Sequence, residues 1–311
     1  MSNVLIVTAA AEEFAEGIER LSESPIPVKA CLSAEQAMAE YSDETVLFGN
    51  PDMIAAVISK MPTVDWVQSS WAGNTPLMNI DRRDYVLTGI KDVFGPQMSE
   101  YVIGYLLAHE LKIVERLEEQ RKKNWFKDYS GMLQGKRIGI LGTGSIGQHI
   151  AKTAHCFDMT VKGLSRSGTG KEGFDDVMPT DRLRDFLEEC DYVVSTLPQT
   201  EETDNLLDAD ALEVLPAHAY FINVGRGNIV DDDALVDALN NGRLAGAALD
   251  VFDEEPVPED SPLWDASNLS ITAHVAAVSY TSLIVPIFID NYRRYVNQRP
   301  LKHVIDFDAG Y

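Results

Sequence analysis

Short apolar runs alternate along the chain with stretches whose apolar residues recur every third or fourth position. The first run, 4–8, predicts a β-strand, and Phe14, Ile18 and Leu21 after it share one side of a helix. A strand over 46–49, a helix over 53–61 and a strand over 65–69 continue the pattern. Strand, helix and strand in succession imply a parallel sheet, because parallel partners need a crossover between them. Met98, Tyr101, Val102, Tyr105, Leu106, Ile113 and Leu117 then mark one side of a long helix that ends in the charged stretch EEQRKKN. Its length suits a connecting or dimerising element. A second series follows, with strands over 137–142, 159–164, 191–197, 219–224, 246–251 and 269–272. A last helix over about 280–298 carries Ile284, Ile287, Phe288, Asn291 and Tyr295 at helical spacing. No internal repeat at solenoid periods is present.

Composition narrows the class. A chain of 311 residues is long enough for two domains of ordinary size. It is 45% hydrophobic and 24% charged, without low-complexity segments. No apolar run approaches the ~20 residues of a membrane helix. The N-terminal run is short and ends in acids, so it reads as a strand and not as a leader peptide. Cys31, Cys156 and Cys190 are odd in number and far apart, which fits reduced thiols in a cytoplasmic protein and provides no disulfide or metal spacing. A net charge of -23 argues against nucleic acid and anionic membranes as partners. Such acidity favours solubility, as in a salt-tolerant organism, and an acidic protein that binds an anion must gather its positive charges locally.

Gly142-Thr143-Gly144-Ser145-Ile146-Gly147 follows the apolar run RIGIL and opens a helix through Ile150, Ala151 and Ala154. Between strand and helix, this G-x-G-x-x-G spacing is a dinucleotide fingerprint: a tight turn, close approach of the diphosphate, and close helix–strand packing. N–H groups at the helix start hold the diphosphate. The next strand normally ends in an acid that binds the ribose 2′-hydroxyl. Here it ends in GLSRSG, with Ser165 at the acid's place and Arg166 beside it. Hydroxyl and guanidinium without a carboxylate suit a 2′-phosphate, hence NADP(H).

Ligands of a doubly wound sheet lie off the carboxyl ends of its strands. Arg226 follows the strand 219–224, between Gly225 and Gly227, which let the backbone turn and leave room for substrate and nicotinamide. Asp250 ends the next strand with Glu255 just beyond, and His274 ends the last one. Taken singly, each is more often a solvated or structural residue. Three on successive strand ends point to one site.

GTGSIG, TLPQTEET, INVGRGNIVD, LDVFDEEP and SPLW…ITAHVAA resemble, in order and spacing, the motifs of the D-isomer-specific 2-hydroxyacid dehydrogenases over essentially the whole chain. The Ser-Arg-Ser segment, PLW, HVAA and the C-terminal AGY are most similar to the glyoxylate/hydroxypyruvate reductase A branch. The resemblance implies an α/β fold of two Rossmann-like domains with parallel sheets and an active site in the cleft between them. Residues 1–98 completed by 282–311 would form the substrate domain, and 99–281 the cofactor domain. It further implies that Arg226 binds the carboxylate and carbonyl oxygen of a 2-oxo acid and that His274 is the general acid. Glu255 would hydrogen-bond His274 and favour its imidazolium form. Asp250 would contact the nicotinamide carboxamide, and the SSWAGNT loop would grip the carboxylate through N–H groups of Ala72 and Gly73. Trp71 in that loop is bulkier than the resemblance leads one to expect, and the loops around Asn50 and Trp71 would set the substrate's side chain. The cofactor residues so assigned are Gly142, Gly144, Ser145, Ile146, Gly147, Ser165, Arg166, Ser167, Leu197, Pro198, Thr203, Val224, Gly225 and Asp250.

The expected activity is reduction of glyoxylate, hydroxypyruvate or pyruvate with NADPH, NAD serving as the poorer cofactor, in a homodimer joined through the cofactor domain and without a metal. Formate oxidation on this fold needs no proton donor, and its relatives carry Gln where Glu255 stands. Phosphoglycerate dehydrogenase is disfavoured because no regulatory domain follows Tyr311. A dinucleotide-sensing, corepressor-like protein keeps the same triad; the compact chain without a partner-binding extension argues against it, and turnover distinguishes the two.

Overall fold

A strand made only of valine, leucine and isoleucine needs cover on both faces, which a parallel sheet flanked by helices supplies. In the structure, a computed structural model that describes residues 3–307, Val4–Val7 (β1) is such a strand, buried throughout. Beside it run β2 (Val28–Cys31), β3 (Val46–Gly49), β4 (Trp66–Ser69) and β5 (Val86–Thr88), all parallel, in the order β2-β1-β3-β4-β5. The end of the chain completes this unit, which comprises Met1–Val93 and Ser279–Tyr311. Phe288, on the helix Thr281–Val296, stacks on Phe48 at 4.4 Å and on Trp66 at 5.6 Å between ring centroids. Buried Asn291 on the same helix donates to Gln68 Oε1 (3.0 Å) and accepts from the Lys302 N–H (2.9 Å), so the helix is fixed by polar as well as apolar contacts.

The second unit is Phe94–Val278. Its strands are β6 (Arg137–Leu141), β7 (Thr160–Ser165), β8 (Asp176–Pro179), β9 (Tyr192–Ser195), β10 (Tyr220–Asn223), β11 (Gly246–Leu249) and β12 (Leu269–Ile271). All are parallel, in the order β12-β11-β10-β9-β6-β7-β8. Strand order reverses between β6 and β9, the switch point off which ligands bind in such sheets. Both units are Rossmann-like.

The structure departs from the sequence reading in four places. β2, β5 and β8 carry no clear apolar pattern and go unpredicted. The expected helix over 53–61 is Pro51–Ala55 followed by a single 3-10 turn, Ile58–Lys60. The long helix is two, Gly95–Glu110 and Ile113–Arg121, because Lys112 takes a left-handed conformation (φ 51°) between them. Val102 and Leu106 are buried on the first, whereas the second buries nothing, so Ile113 and Leu117 do not share its covered face. His274 lies beyond the end of β12, in a loop and not on the strand.

Candidate active site

Leu141 ends β6 and Gly142 turns the chain with φ 100°, a conformation that favours glycine. The helix Ser145–His155 begins immediately, with Gly144 at its N-cap and no side chain capping its first N–H groups. A Cβ on Gly147 would stand 2.1 Å from the Gly142 carbonyl oxygen, so only glycine lets this helix sit against the turn. A Cβ on Gly144 would meet nothing within 4 Å. The second glycine thus faces open space beside the positive end of a helix with free donors, and the residues present fit a dinucleotide diphosphate. Gly144 and Ser145 are exposed, Ile146 is half-buried and Gly147 is buried.

Ser165 is the last residue of β7, half-buried, and Arg166 and Ser167 follow it on the surface. The Ser167 hydroxyl donates to Thr169 Oγ1 at 2.8 Å. Arg166 is paired: its Nε lies 3.0 Å from Glu202 Oε2. Glu202 stands on the 196–203 loop that follows β9, where the Thr203 hydroxyl donates to the Pro198 carbonyl (2.8 Å) and closes the turn behind Leu197 and Pro198. Sequence reasoning missed this acid, since 35 or so intervening residues hide the pairing and only the βα topology brings the two loops together.

Buried Val224 follows β10, its N–H donating to the Ser195 carbonyl (3.1 Å). Arg226 is half-buried beyond it, its Nη1 donating to the Gly225 carbonyl at 2.6 Å. Asn223 braces the turn by accepting from the Gly225 N–H (3.1 Å) and donating to the Arg226 carbonyl (2.8 Å). Burial works against the guanidinium's charge and pulls its pKa below the usual arginine value, while Glu255 opposes that shift. The flanking glycines serve a different purpose from the one expected. A Cβ on Gly225 would meet the Leu197 backbone oxygen at 2.7 Å, and one on Gly227 the Phe252 carbonyl carbon at 1.9 Å. The space they leave is filled by the chain's own backbone, which locks Arg226 between two neighbouring loops.

His274 Nδ1 and Glu255 Oε2 are 2.9 Å apart, and Glu255 Oε1 accepts from the Phe252 N–H (3.0 Å), which orients the carboxylate. Both side chains are partly exposed. His274 has a positive φ of 54°, a costly conformation for a side-chain-bearing residue. Asp250, just after β11 and fully buried, holds the loop in it. Its Oδ1 accepts from the Thr272 hydroxyl (2.5 Å) and the Val275 N–H (2.8 Å), and its Oδ2 from the Ala276 N–H (2.9 Å). The His274 N–H donates to the Asp250 carbonyl (2.8 Å), and Tyr101 hydrogen-bonds Thr272 (2.8 Å).

In the first unit, Trp71, Ala72 and Gly73 follow β4. The Trp71 N–H donates to Ser69 Oγ (3.1 Å), Asn74 Nδ2 to the Ala72 carbonyl (3.2 Å), and the Ser70 hydroxyl to Asn50 Oδ1 (2.8 Å). Ala72 is exposed and Gly73 half-buried, so both lie near the surface of that unit. Among the described residues, no group of three His, Cys, Asp or Glu stands ready to hold a metal, and no helix is long and apolar enough to cross a membrane.

A family model described as D-isomer specific 2-hydroxyacid dehydrogenase, NAD binding domain, matches residues 103–276. Among solved structures, a D-isomer specific 2-hydroxyacid dehydrogenase family protein from Aeromonas salmonicida subsp. salmonicida A449 is 38% identical, with 99% of each chain covered and a TM-score of 0.94. An NADPH-dependent glyoxylate/hydroxypyruvate reductase from Sinorhizobium meliloti, solved with NADP and sulfate, is 26% identical over 100% of each chain, with a TM-score of 0.88. A D-isomer specific 2-hydroxyacid dehydrogenase from Xanthobacter autotrophicus Py2, solved with NADPH and MES, is 27% identical, covering 100% of this chain and 99% of that one, with a TM-score of 0.88. The C-terminal AGY segment, 309–311, lies outside the described residues.

Proposed function

The chain belongs to the D-isomer-specific 2-hydroxyacid dehydrogenase family, and from that premise we propose that it reduces small 2-oxo acids of the glyoxylate, hydroxypyruvate or pyruvate type to D-2-hydroxy acids, with NADPH preferred over NADH. The observation that carries this reading is the grouping, at the carboxyl edge of one sheet, of a glycine turn fit for a diphosphate, a locked arginine and a His–Glu pair.

When bound, the dinucleotide supplies the hydride. Arg226 binds the acid: its planar fork matches a carboxylate and an adjacent carbonyl oxygen, and its charge polarises that carbonyl. Backbone N–H groups of Ala72 and Gly73 are further donors to the carboxylate, by likeness to the family. Glu255 takes the Nδ1 side of His274, so the proton destined for the developing alkoxide is carried on Nε2. Asp250 positions His274 by bracing its loop. An ionised carboxylate has about four acceptor sites, and Asp250 uses three of them internally, which leaves one on Oδ2 for a donor such as the nicotinamide carboxamide. Leu197, Pro198 and Thr203 follow β9, Val224 and Gly225 follow the neighbouring β10, and all five belong to the cofactor's site in this reading. Ser165, Arg166 and Ser167 receive the 2′-phosphate.

We propose a homodimer through the second unit, a reading that its surface supports. The helix Ile113–Arg121 has no buried residue, and Val114, Leu117, Trp125, Tyr129 and Met132 are all exposed on it or just after it. An apolar stripe of this extent is stabilised by a partner's surface. The free thiols of Cys31, Cys156 and Cys190 fit a reducing cytoplasm.

The competing reading is a dinucleotide sensor, and a panel of 2-oxo acids assayed with NADPH and with NADH separates the two. Turnover with kcat/KM at least about tenfold higher for NADPH is expected, the worth of one charge-assisted contact. Ser165→Asp combined with Arg166→Ile should reverse the order by restoring a 2′-hydroxyl acceptor and deleting the phosphate partner. Equal or better use of NADH by the wild type would refute the Ser165–Arg166 assignment, and no turnover with any 2-oxo acid would favour the sensor.

A further inference from the structure

Arg166 is the only charged residue between Gly163 and Gly170, and it is already paired with Glu202. We propose that Glu202 competes with the cofactor's 2′-phosphate for Arg166 and thereby sets how strongly NADPH is preferred. The inference rests on the reading of Arg166 as the 2′-phosphate site.

Glu202 does not drift past Arg166 on a loose segment. Immediately after its loop, the Asn205 N–H donates to the Asn228 carbonyl (2.7 Å), Asn228 Nδ2 donates to Asp204 Oδ1 (3.0 Å), and the Leu207 N–H donates to the Ile229 carbonyl (2.9 Å). The Thr203 hydroxyl donates to the Pro198 carbonyl and so ties the segment before the acid to the one after it. Ser165 offers no charge, and the Ser167 hydroxyl is engaged with Thr169. A 2′-phosphate therefore depends on Arg166 for charge compensation. It must either take Arg166 from Glu202 or lie beside an anion on a fastened loop, and both choices cost affinity. A ribose 2′-hydroxyl faces neither cost, because the Arg166–Glu202 pair can stay intact next to it. Glu202 thus penalises one cofactor and leaves the other alone. Side-chain exposures of 65% and 68% put the pair among solvent-screened ones, so the penalty is modest, about two- to fivefold in affinity.

The test is calorimetric titration with two redox-inert fragments, 2′-phospho-ADP-ribose and ADP-ribose, on wild type, Glu202→Gln and Arg166→Leu. Glu202→Gln should bind the 2′-phosphorylated fragment about two- to fivefold tighter while its affinity for ADP-ribose is unchanged, the latter also reporting an intact fold. Arg166→Leu should abolish the difference between the fragments. If Arg166→Leu abolishes discrimination but Glu202→Gln leaves 2′-phospho-ADP-ribose binding unchanged or weaker, the competitor role is wrong and the phosphate site stands. If discrimination survives in Arg166→Leu, the phosphate site itself is misassigned and the role of Glu202 falls with it.

Discussion

Asp250→Asn should both destabilise the second unit and slow turnover, although the substitution changes one oxygen to an NH2 group. The Asp250 carboxylate takes three donors from the loop that carries His274: Thr272 Oγ1 and the Val275 N–H on Oδ1, the Ala276 N–H on Oδ2. An asparagine keeps an acceptor for one side only, so its NH2 group must face a buried N–H. Losing a charge-assisted bond costs ~1.5–3 kcal/mol, and leaving a buried N–H without an acceptor costs ~1–3 kcal/mol. The two overlap because they concern the same atoms, so about 2–4 kcal/mol is expected in total. For a unit of this size each kcal/mol lowers Tm by roughly 2–4 °C, so the melting transition should fall by about 4–16 °C. His274 sits at φ 54°, a conformation that costs ~1–3 kcal/mol and persists only while its surroundings impose it. Loosening the brace lets the backbone relax, and the imidazole leaves its place against Glu255. Thermal melts followed by circular dichroism give the first effect, and kcat with a 2-oxo acid gives the second. Thr272→Val, which removes one donor and keeps both carboxylate oxygens, should lie between wild type and Asp250→Asn. An Asp250→Asn protein that melts with the wild type and retains its kcat would refute the brace.

Arg226→Lys should lower kcat/KM by about ten- to a hundredfold or more with little change in Tm, because an ammonium keeps the charge and loses the fork, at ~1.5–3 kcal/mol per charged hydrogen bond. Wild-type kcat/KM in that variant would remove Arg226 from the anion site. Burial, then Asp253, Asp231 and Asp233, raise the Asp232 carboxyl to about 6, so the folded state prefers it protonated: its stabilising contribution is complete below pH 3.8 and is lost as pH rises to about 6. Asp232→Asn should therefore match wild type in melts near pH 4 and exceed it by about 1–2 kcal/mol above pH 6, after discounting partial exposure and the favourable first-turn position of the acid. A stability difference that does not vary with pH would count against this. Leu117→Asp with Trp125→Ser should yield a folded monomer in sedimentation experiments, and a persistent dimer would place the interface elsewhere.

Where a strand is central, its pattern in the sequence is plain: VLIV, RIGIL and YVVS are buried on both faces and read as strands at sight. β2, β5 and β8 lie at sheet edges, partly exposed, and VKAC, VLT and DVMP mix polar and apolar residues as edge strands do. The break at Lys112 has no glycine or proline to announce it, and neighbouring residues alone do not explain it. The same division runs through the site. The glycine turn at 142–147 and the charged or imidazole side chains at 226, 255 and 274 stand out in the sequence because each sits in a short motif of its own. The reasons for Gly225 and Gly227 lie in the backbones of Leu197 and Phe252, the Asp250 brace joins β11 to the loop after β12, and Glu202 meets Arg166 from another βα loop. Such contacts exist only once the sheet has assembled.

The central claim is that His274, held by Glu255, delivers the proton while Arg226 holds the acid and the dinucleotide gives the hydride. Single-turnover oxidation of enzyme-bound NADPH by glyoxylate, measured in wild type and His274→Asn alongside NADPH affinity on the same samples, tests it most directly. Affinity should be unchanged in His274→Asn while the rate falls by about 10²- to 10⁴-fold, the usual worth of a positioned acid. A rate close to wild type with NADPH fully bound would contradict the account.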